Sequence, residues 1–291
     1  MVRETPGRRI SVRGTDLHIE ESGSGATSVV FESGAGAGRT LWDPVVALLG
    51  DVARTVTYDR AGRGRSARPE RPQSIEDMAI TLVALVETLA PRRVVLVGHS
   101  MGGLIIRRAA EKLSPPPAGL ILVDPTPEAA PIYDDWTKTA TKTDRILAVQ
   151  QRLALCPPLM RALTRSHGRL FPTDTYATML AEDFTPAGIA RTRYEIAAVA
   201  TAIDEFRRHP PQLPNSPVTV LSANRAARHQ ARNLDVIREY HRHYAEQIGA
   251  RLEECDSEHI VPAEQPAQVA AAIRRLVNTA ADSFDKLPVR D

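Results

Sequence analysis

The chain has 291 residues, 43% hydrophobic and 25% charged, which suits one large globular domain or a domain carrying a sizeable insertion. Its 37 basic and 35 acidic residues leave a formal charge of +2, so no long-range field argues for nucleic acid or an anionic membrane as partner. A small-molecule substrate fits better, and Cys156 and Cys255, far apart and without CxxC or Cys/His spacing, predict neither a disulfide framework nor a zinc site.

Lys112, Lys138, Lys142 and Lys286 are the only lysines; arginine supplies the other 33 positive charges. Residues 1–9 are charged and polar, and no apolar run approaches the roughly 18 residues that a membrane span needs. A reducing, cytoplasmic setting is therefore expected.

Residues 10–20 alternate apolar and polar around Gly14-Thr15, as two short strands joined by a turn would. Residues 29–31, 55–58, 94–97, 120–123 and 218–221 are short β-branched or aliphatic runs, the composition of strands buried on both faces. Ser74-Ile75-Glu76-Asp77 reads as a capping box opening a helix with Met78, Leu82, Leu85 and Leu89 on its apolar face, closed by Pro91. Further helices are expected over 104–113 and 269–277. Strand and helix alternate, which predicts an α/β fold with a doubly wound, mainly parallel sheet.

The alternation stops over residues 126–211, which show helical periods and no convincing strand. Prolines mark both ends, at Pro125-Thr126-Pro127 and from Pro210-Pro211 to Pro217. The expected organisation is a core in two parts, 1–125 and 212–280, a helical cap over 126–211, and a tail, 281–291, without order. Seven of the 13 aromatic residues fall in the cap: Tyr133, Trp136, Phe171, Tyr176, Phe184, Tyr194 and Phe206. They suit either the apolar roof of a pocket or the cap's own small core.

Val94-Val95-Leu96-Val97 leads into Gly98-His99-Ser100-Met101-Gly102-Gly103 and then an apolar helical run. A G-x-S-x-G run between strand and helix leaves room for strained backbone at the serine and pushes its hydroxyl clear of the sheet. The helix N-terminus then faces developing negative charge. A serine hydroxyl needs a base, and behind such a turn the histidine follows the last strand. His259 occupies that place, after the strand-like 250–254 and before a helix with Val269 and Ile273. His18 lies in the opening hairpin, His241 and His243 in a polar helix, and His99 is expected to point away from the hydroxyl.

Together these features resemble the α/β-hydrolase superfamily over nearly the whole chain, from the opening hairpin to the helix after His259. The run Thr57-Tyr58-Asp59-Arg60-Ala61-Gly62-Arg63-Gly64-Arg65-Ser66 is similar to the family's loop after its fourth strand, which is chiefly architectural. Two departures stand out. Where many relatives have His-Gly after the third strand, this chain has Ser33-Gly34-Ala35-Gly36-Ala37-Gly38; Ala35 can still supply one oxyanion N–H and Met101 the other. The position three beyond Gly36 is Arg39, so this run is no G-x-G-x-x-G dinucleotide fingerprint.

The second departure is the acid. After residues 218–221 the chain reads Ser222-Ala223-Asn224-Arg225, with no carboxylate where the family's aspartate usually stands. Asp124, at the end of the preceding strand, is the expected substitute, ahead of Asp204 and Asp235, neither of which ends a strand. The resemblance implies a serine hydrolase needing no metal or cofactor, with Ser100, His259 and Asp124 catalytic and an ester or related acyl bond as target. A serine nucleophile demotes epoxide and haloalkane hydrolysis, for which relatives use aspartate. Acyl transfer and perhydrolysis would use the same residues, and a ligand-binding protein with little turnover is the alternative from another class.

Overall fold

The computed structural model describes residues 7–226 and 231–284. Eight strands, β1 (Arg8–Val12), β2 (Thr15–Ser22), β3 (Ser28–Glu32), β4 (Arg54–Tyr58), β5 (Val94–His99), β6 (Gly119–Val123), β7 (Val218–Ala223) and β8 (Arg251–Cys255), form one sheet in the order β1-β2-β4-β3-β5-β6-β7-β8. The β1–β2 hairpin and the β2–β4 pair are antiparallel, and every other pairing is parallel.

The strands read as continuous apolar runs because both faces are covered. Leu96, Leu120 and Leu122 pack with Leu82 of α2 (Ile75–Leu89) and Ile105 of α3 (Met101–Lys112). Their neighbours Val95, Val97, Ile121 and Val123 point the other way, onto Val45 of α1 (Asp43–Leu49) and Ile273 of α11 (Pro266–Phe284). One-residue alternation in each strand thus feeds two cores.

Helix α2 opens with the expected capping box: Ser74 Oγ accepts from the Asp77 amide at 3.1 Å while the Asp77 carboxylate accepts from Ser74 N–H at 2.9 Å. Helix α3 starts at Met101, three residues ahead of the expected 104, because Gly102 and Gly103 are helical rather than part of the turn. Both lie too close to their neighbours for a side chain: a Cβ on Gly102 would come 2.4 Å from Glu32 O, and one on Gly103 2.7 Å from Pro125 Cβ. At the other end α11 continues through Phe284, so the expected tail from 281 loses its first four residues to the helix; 285–291 lie outside the described residues.

Between β6 and β7 stand α4 (Trp136–Leu153), α5 (Pro157–Leu163), α6 (His167–Leu170), α7 (Thr173–Glu182) and α8 (Pro186–Arg208), the helical insertion. Helix α9 (Ala231–Gln247) links β7 to β8, and α10 (Val261–Glu264) precedes α11. Of the insertion's aromatic residues only Phe184 packs on a small cluster of the cap's own, with Ala154, Met160 and Ile189. Phe171 and Phe184 line a cavity above the sheet, Tyr133, Trp136 and Phe206 pack on the main core, and Tyr194 is exposed.

Cap and core are joined by buried charge. Arg60 and Arg63, from the loop after β4, and Glu195, from α8, are all buried. Glu195 meets Arg60 at 3.0 Å and Arg63 at 2.7 Å; Arg60 also meets Glu32 at 2.6 Å, and Arg63 meets Asp183 at 3.1 Å. Burial alone would raise the Glu195 pKa, but the guanidinium groups of Arg60 and Arg63 outweigh it and hold the carboxyl down to about 2, so Glu195 is ionised. Removing one partner of such a cluster strands the others in a dry interior. Glu195→Ala should therefore lower unfolding free energy by about 3–5 kcal/mol in urea titrations; an unchanged midpoint would show that the cluster does not hold the cap to the core.

Candidate active site

The turn from β5 into α3 places Ser100 at φ 53°, ψ −119°, a conformation that costs a non-glycine residue on the order of 1–3 kcal/mol and is held by its surroundings. Its N–H donates to Val123 O at 3.1 Å, and its carbonyl accepts from Gly103 N–H at 2.9 Å and Thr126 N–H at 3.2 Å. Gly98 makes the turn possible, since a Cβ there would lie 2.6 Å from Gly102 O. Met101 opens α3, so its amide is one of those a helix start leaves without an internal partner.

Asp124 ends β6 with φ 41°, its N–H bonded to Leu221 O at 2.7 Å, and one carboxylate oxygen accepts from Ala223 N–H at 3.0 Å. Its other oxygen lies 2.5 Å from His259 Nδ1, and His259 Nε2 lies 3.0 Å from Ser100 Oγ. Burial would raise the Asp124 pKa, but the His259 imidazole and the Ala223 amide keep it below its ordinary value. An ionised Asp124 can only accept, so Nδ1 carries the proton and Nε2 presents a lone pair to the serine hydroxyl. For His259, loss of water on the protein side opposes charging, yet the Asp124 carboxylate wins and raises the imidazole pKa above its ordinary value. The His259 side chain stays 57% exposed, open to an incoming molecule.

The structure thus brings together Ser100, His259 and Asp124, whereas Asp204 and Asp235 lie exposed on α8 and α9. The usual acid slot after β7 holds other groups: Ser222 Oγ donates to His241 Nδ1 at 2.9 Å, and Arg225 pairs with Asp256 and Glu264. His241, read from sequence as part of a polar helix, is buried beside Asp124 at 3.9 Å. Because Pro125 O can only accept, His241 Nε2 must donate to it at 2.7 Å, which pins the turn that carries Asp124. Nothing in its sequence neighbourhood signals this, since the contact is made across α9 and β6. His99 takes a part that its sequence position did not signal: its Nε2 donates to His259 O at 2.8 Å and its ring packs on the His259 ring at 4.7 Å, so it braces the histidine.

The loop 33–38 that carries Ala35 is fastened from below and above. Arg60 donates to Ser33 O at 2.6 Å and Gly34 O at 2.8 Å, and the Gly36 amide donates to Glu195 at 2.9 Å. These partners were missed from sequence, although two arginines in a glycine loop are the signal that carboxylates must lie nearby. Ala35, Ser100 and His259 all line a cavity of about 280 Å³. Its walls are chiefly apolar, from Leu41, Leu147, Phe171, Met179, Phe184 and Ile189, with Gln150, His167, Asp183 and Thr192 as polar points. Among the described residues no helix is long and apolar enough to cross a membrane.

The 2-(acetamidomethylene)succinate hydrolase of Mesorhizobium japonicum is 31% identical over 120 residues, 41% of this chain and 43% of that protein. The chain spans under half the length of the first curated relatives it matches. Among solved structures, the epoxide hydrolase CorEH superposes with a TM-score of 0.73 at 19% identity, covering 94% of this chain and 99% of that one. A thermophilic esterase from Thermogutta terrifontis gives 0.67 at 23% identity, covering 95% and 99%. Both structural likenesses concern the fold. The model of the alpha/beta hydrolase family matches residues 29–272, and with that span and this strand order, the chain belongs to the alpha/beta hydrolase family.

Proposed function

We propose that this enzyme is a serine hydrolase that cleaves an ester or related acyl bond of a small, mainly apolar substrate through an acyl-enzyme. The observation that carries the reading is the hydrogen-bonded line from Asp124 through His259 to Ser100, at 2.5 and 3.0 Å, at the rim of an apolar cavity. In this reading His259 Nε2 takes the Ser100 proton as Oγ attacks the carbonyl carbon. The carbonyl electrons move to oxygen, which the Ala35 and Met101 amides hold. Collapse expels the alcohol, which takes its proton from His259; water, deprotonated by His259 in turn, attacks the acyl carbon, and the bond to Ser100 Oγ breaks as Oγ takes that proton back, releasing the acid. Asp124 keeps the imidazole in the required tautomer and stabilises it when charged.

Serine as nucleophile favours acyl bonds over the ring opening for which the epoxide hydrolase neighbour is named. The cavity, at about 280 Å³, suits small acyl groups. Cys156 is free and exposed and Cys255 free and buried, which supports a reducing, cytoplasmic setting.

A fluorophosphonate should label the intact protein at Ser100, as read by peptide mass spectrometry, and Ser100→Ala should take up none; a folded wild type without label would sink the serine-hydrolase reading. Asp124→Asn should cut kcat on p-nitrophenyl esters by about 10⁴-fold through loss of the tautomer, while Asp204→Asn leaves it unchanged. Since a protonated His259 cannot act as base and Asp124 raises its pKa, kcat/KM should fall as pH drops through a value above about 6.5. In the residual activity of Asp124→Asn that limb should move to lower pH, and a limb that stays in place would mean Asp124 does not face the base.

A further inference from the structure

The chain-wide balance of charge hides a local asymmetry on the outside of the cap. Residues 145–173 contain five arginines and no Asp or Glu. The acids just upstream are engaged elsewhere: Asp135 pairs with Lys138 at 2.8 Å and Asp144 with Arg193 of α8 at 2.6 Å. No ion pair among the described residues involves any of the five arginines.

The same stretch exposes aliphatic side chains. Spacings of three and four put Ile146, Val149 and Leu153 on one side of α4, bordered by Arg145 and Arg152. Ile146 is 60% exposed, and Leu155, in the turn after the helix, 77%. Leu159 and Leu163, four apart on α5, are exposed as well. The opposite side of α4 is turned to the protein: Asp144 and Gln151 reach Arg193 of α8, and Leu147 lines the cavity. A helix with one face packed and the other made of bare aliphatics edged by unpaired cations is built for an anionic interface.

We propose that the outer face of the cap, centred on α4 and α5, docks on an anionic lipid surface. The aliphatic side chains enter the headgroup boundary and the arginines meet the lipid phosphates. A second copy of the chain fits less well, since a twofold contact would set these cations against each other. Docking leaves the cavity on the protein side of α4, one helix width from the lipid. The proposal does not depend on the chemistry assigned to Ser100.

The test is co-sedimentation of the full chain with vesicles of phosphatidylcholine alone or mixed equally with phosphatidylglycerol, alongside light scattering without vesicles. Binding to the mixed vesicles only, lost on raising salt from about 0.1 M to 1 M, is expected. Leu155→Ser and the pair Arg145→Gln, Arg152→Gln should each weaken it on the order of tenfold, with the thermal midpoint and ester hydrolysis in solution unchanged. Failure to bind mixed vesicles, equal binding to both kinds, or variants that bind like wild type would overturn the proposal. So would a dimer without lipid that Leu155→Ser dissolves, or capture by an acidic protein in place of lipid.

Discussion

The loop that faces Ser100 across the cavity depends on two guanidinium groups buried together under the cap. Arg60 and Arg63 sit where water does not reach, and Glu195 of α8 and Glu32 of β3 keep them charged there. Such a cluster is a costly way to gain stability, because each ion loses its hydration. What it gives in exchange is position: the two arginines and Glu195 take up the Ser33, Gly34 and Gly36 backbone groups, so the loop carrying Ala35 has one place to be. The cap reaches the proposed oxyanion site through Glu195, and the same side chain ties it to the core.

In the proposed triad the carboxylate stands at the end of β6 rather than β7, which changes what must support it. Asp124 stands at positive φ, directly before Pro125; its N–H donates to the Leu221 carbonyl of the neighbouring strand and its carboxylate accepts from the Ala223 N–H. At the end of β7 Ser222 bonds His241, and His241 in turn fastens the Pro125 carbonyl. Burial lowers the His241 pKa, against the pull of Asp124 and the Pro125 carbonyl, which favours the neutral ring that this arrangement needs. On the other side His99 holds the His259 carbonyl and packs on its ring. The proposed base is thus braced directly by His99, while His241 supports the Asp124 turn behind it.

The cap performs three tasks with one set of helices. Its inner residues, among them Phe171, Met179 and Phe184, shape the cavity, Glu195 and Asp183 anchor it to the core, and its outer side exposes aliphatics and arginine. Because the sheet face beneath is already packed, differences in substrate choice between proteins of this architecture can reside in the insertion without disturbing the strands.

Much of this molecule could be read before any coordinate. Apolar runs of four or five residues between helical periods specify a parallel sheet, since only strands covered on both faces dispense with alternation. A serine between two glycines at a strand-to-helix junction marks its own turn, because a Cβ at those glycines would strike backbone. The absence of a carboxylate after residues 218–221, taken with the resemblance to the superfamily, turns attention to Asp124 at the end of the preceding strand. The tertiary structure decided what local pattern does not encode. The glycines after Ser100 proved to be helical, with Glu32 and Pro125 too close for a side chain at either, and the cap's aromatic residues were divided among cavity, core and surface. His241, on a helix that reads as polar, and Glu195, over 130 residues from the arginines it neutralises, acquire their roles only where distant segments meet and exclude water, the condition that turns a surface charge into a fixed one.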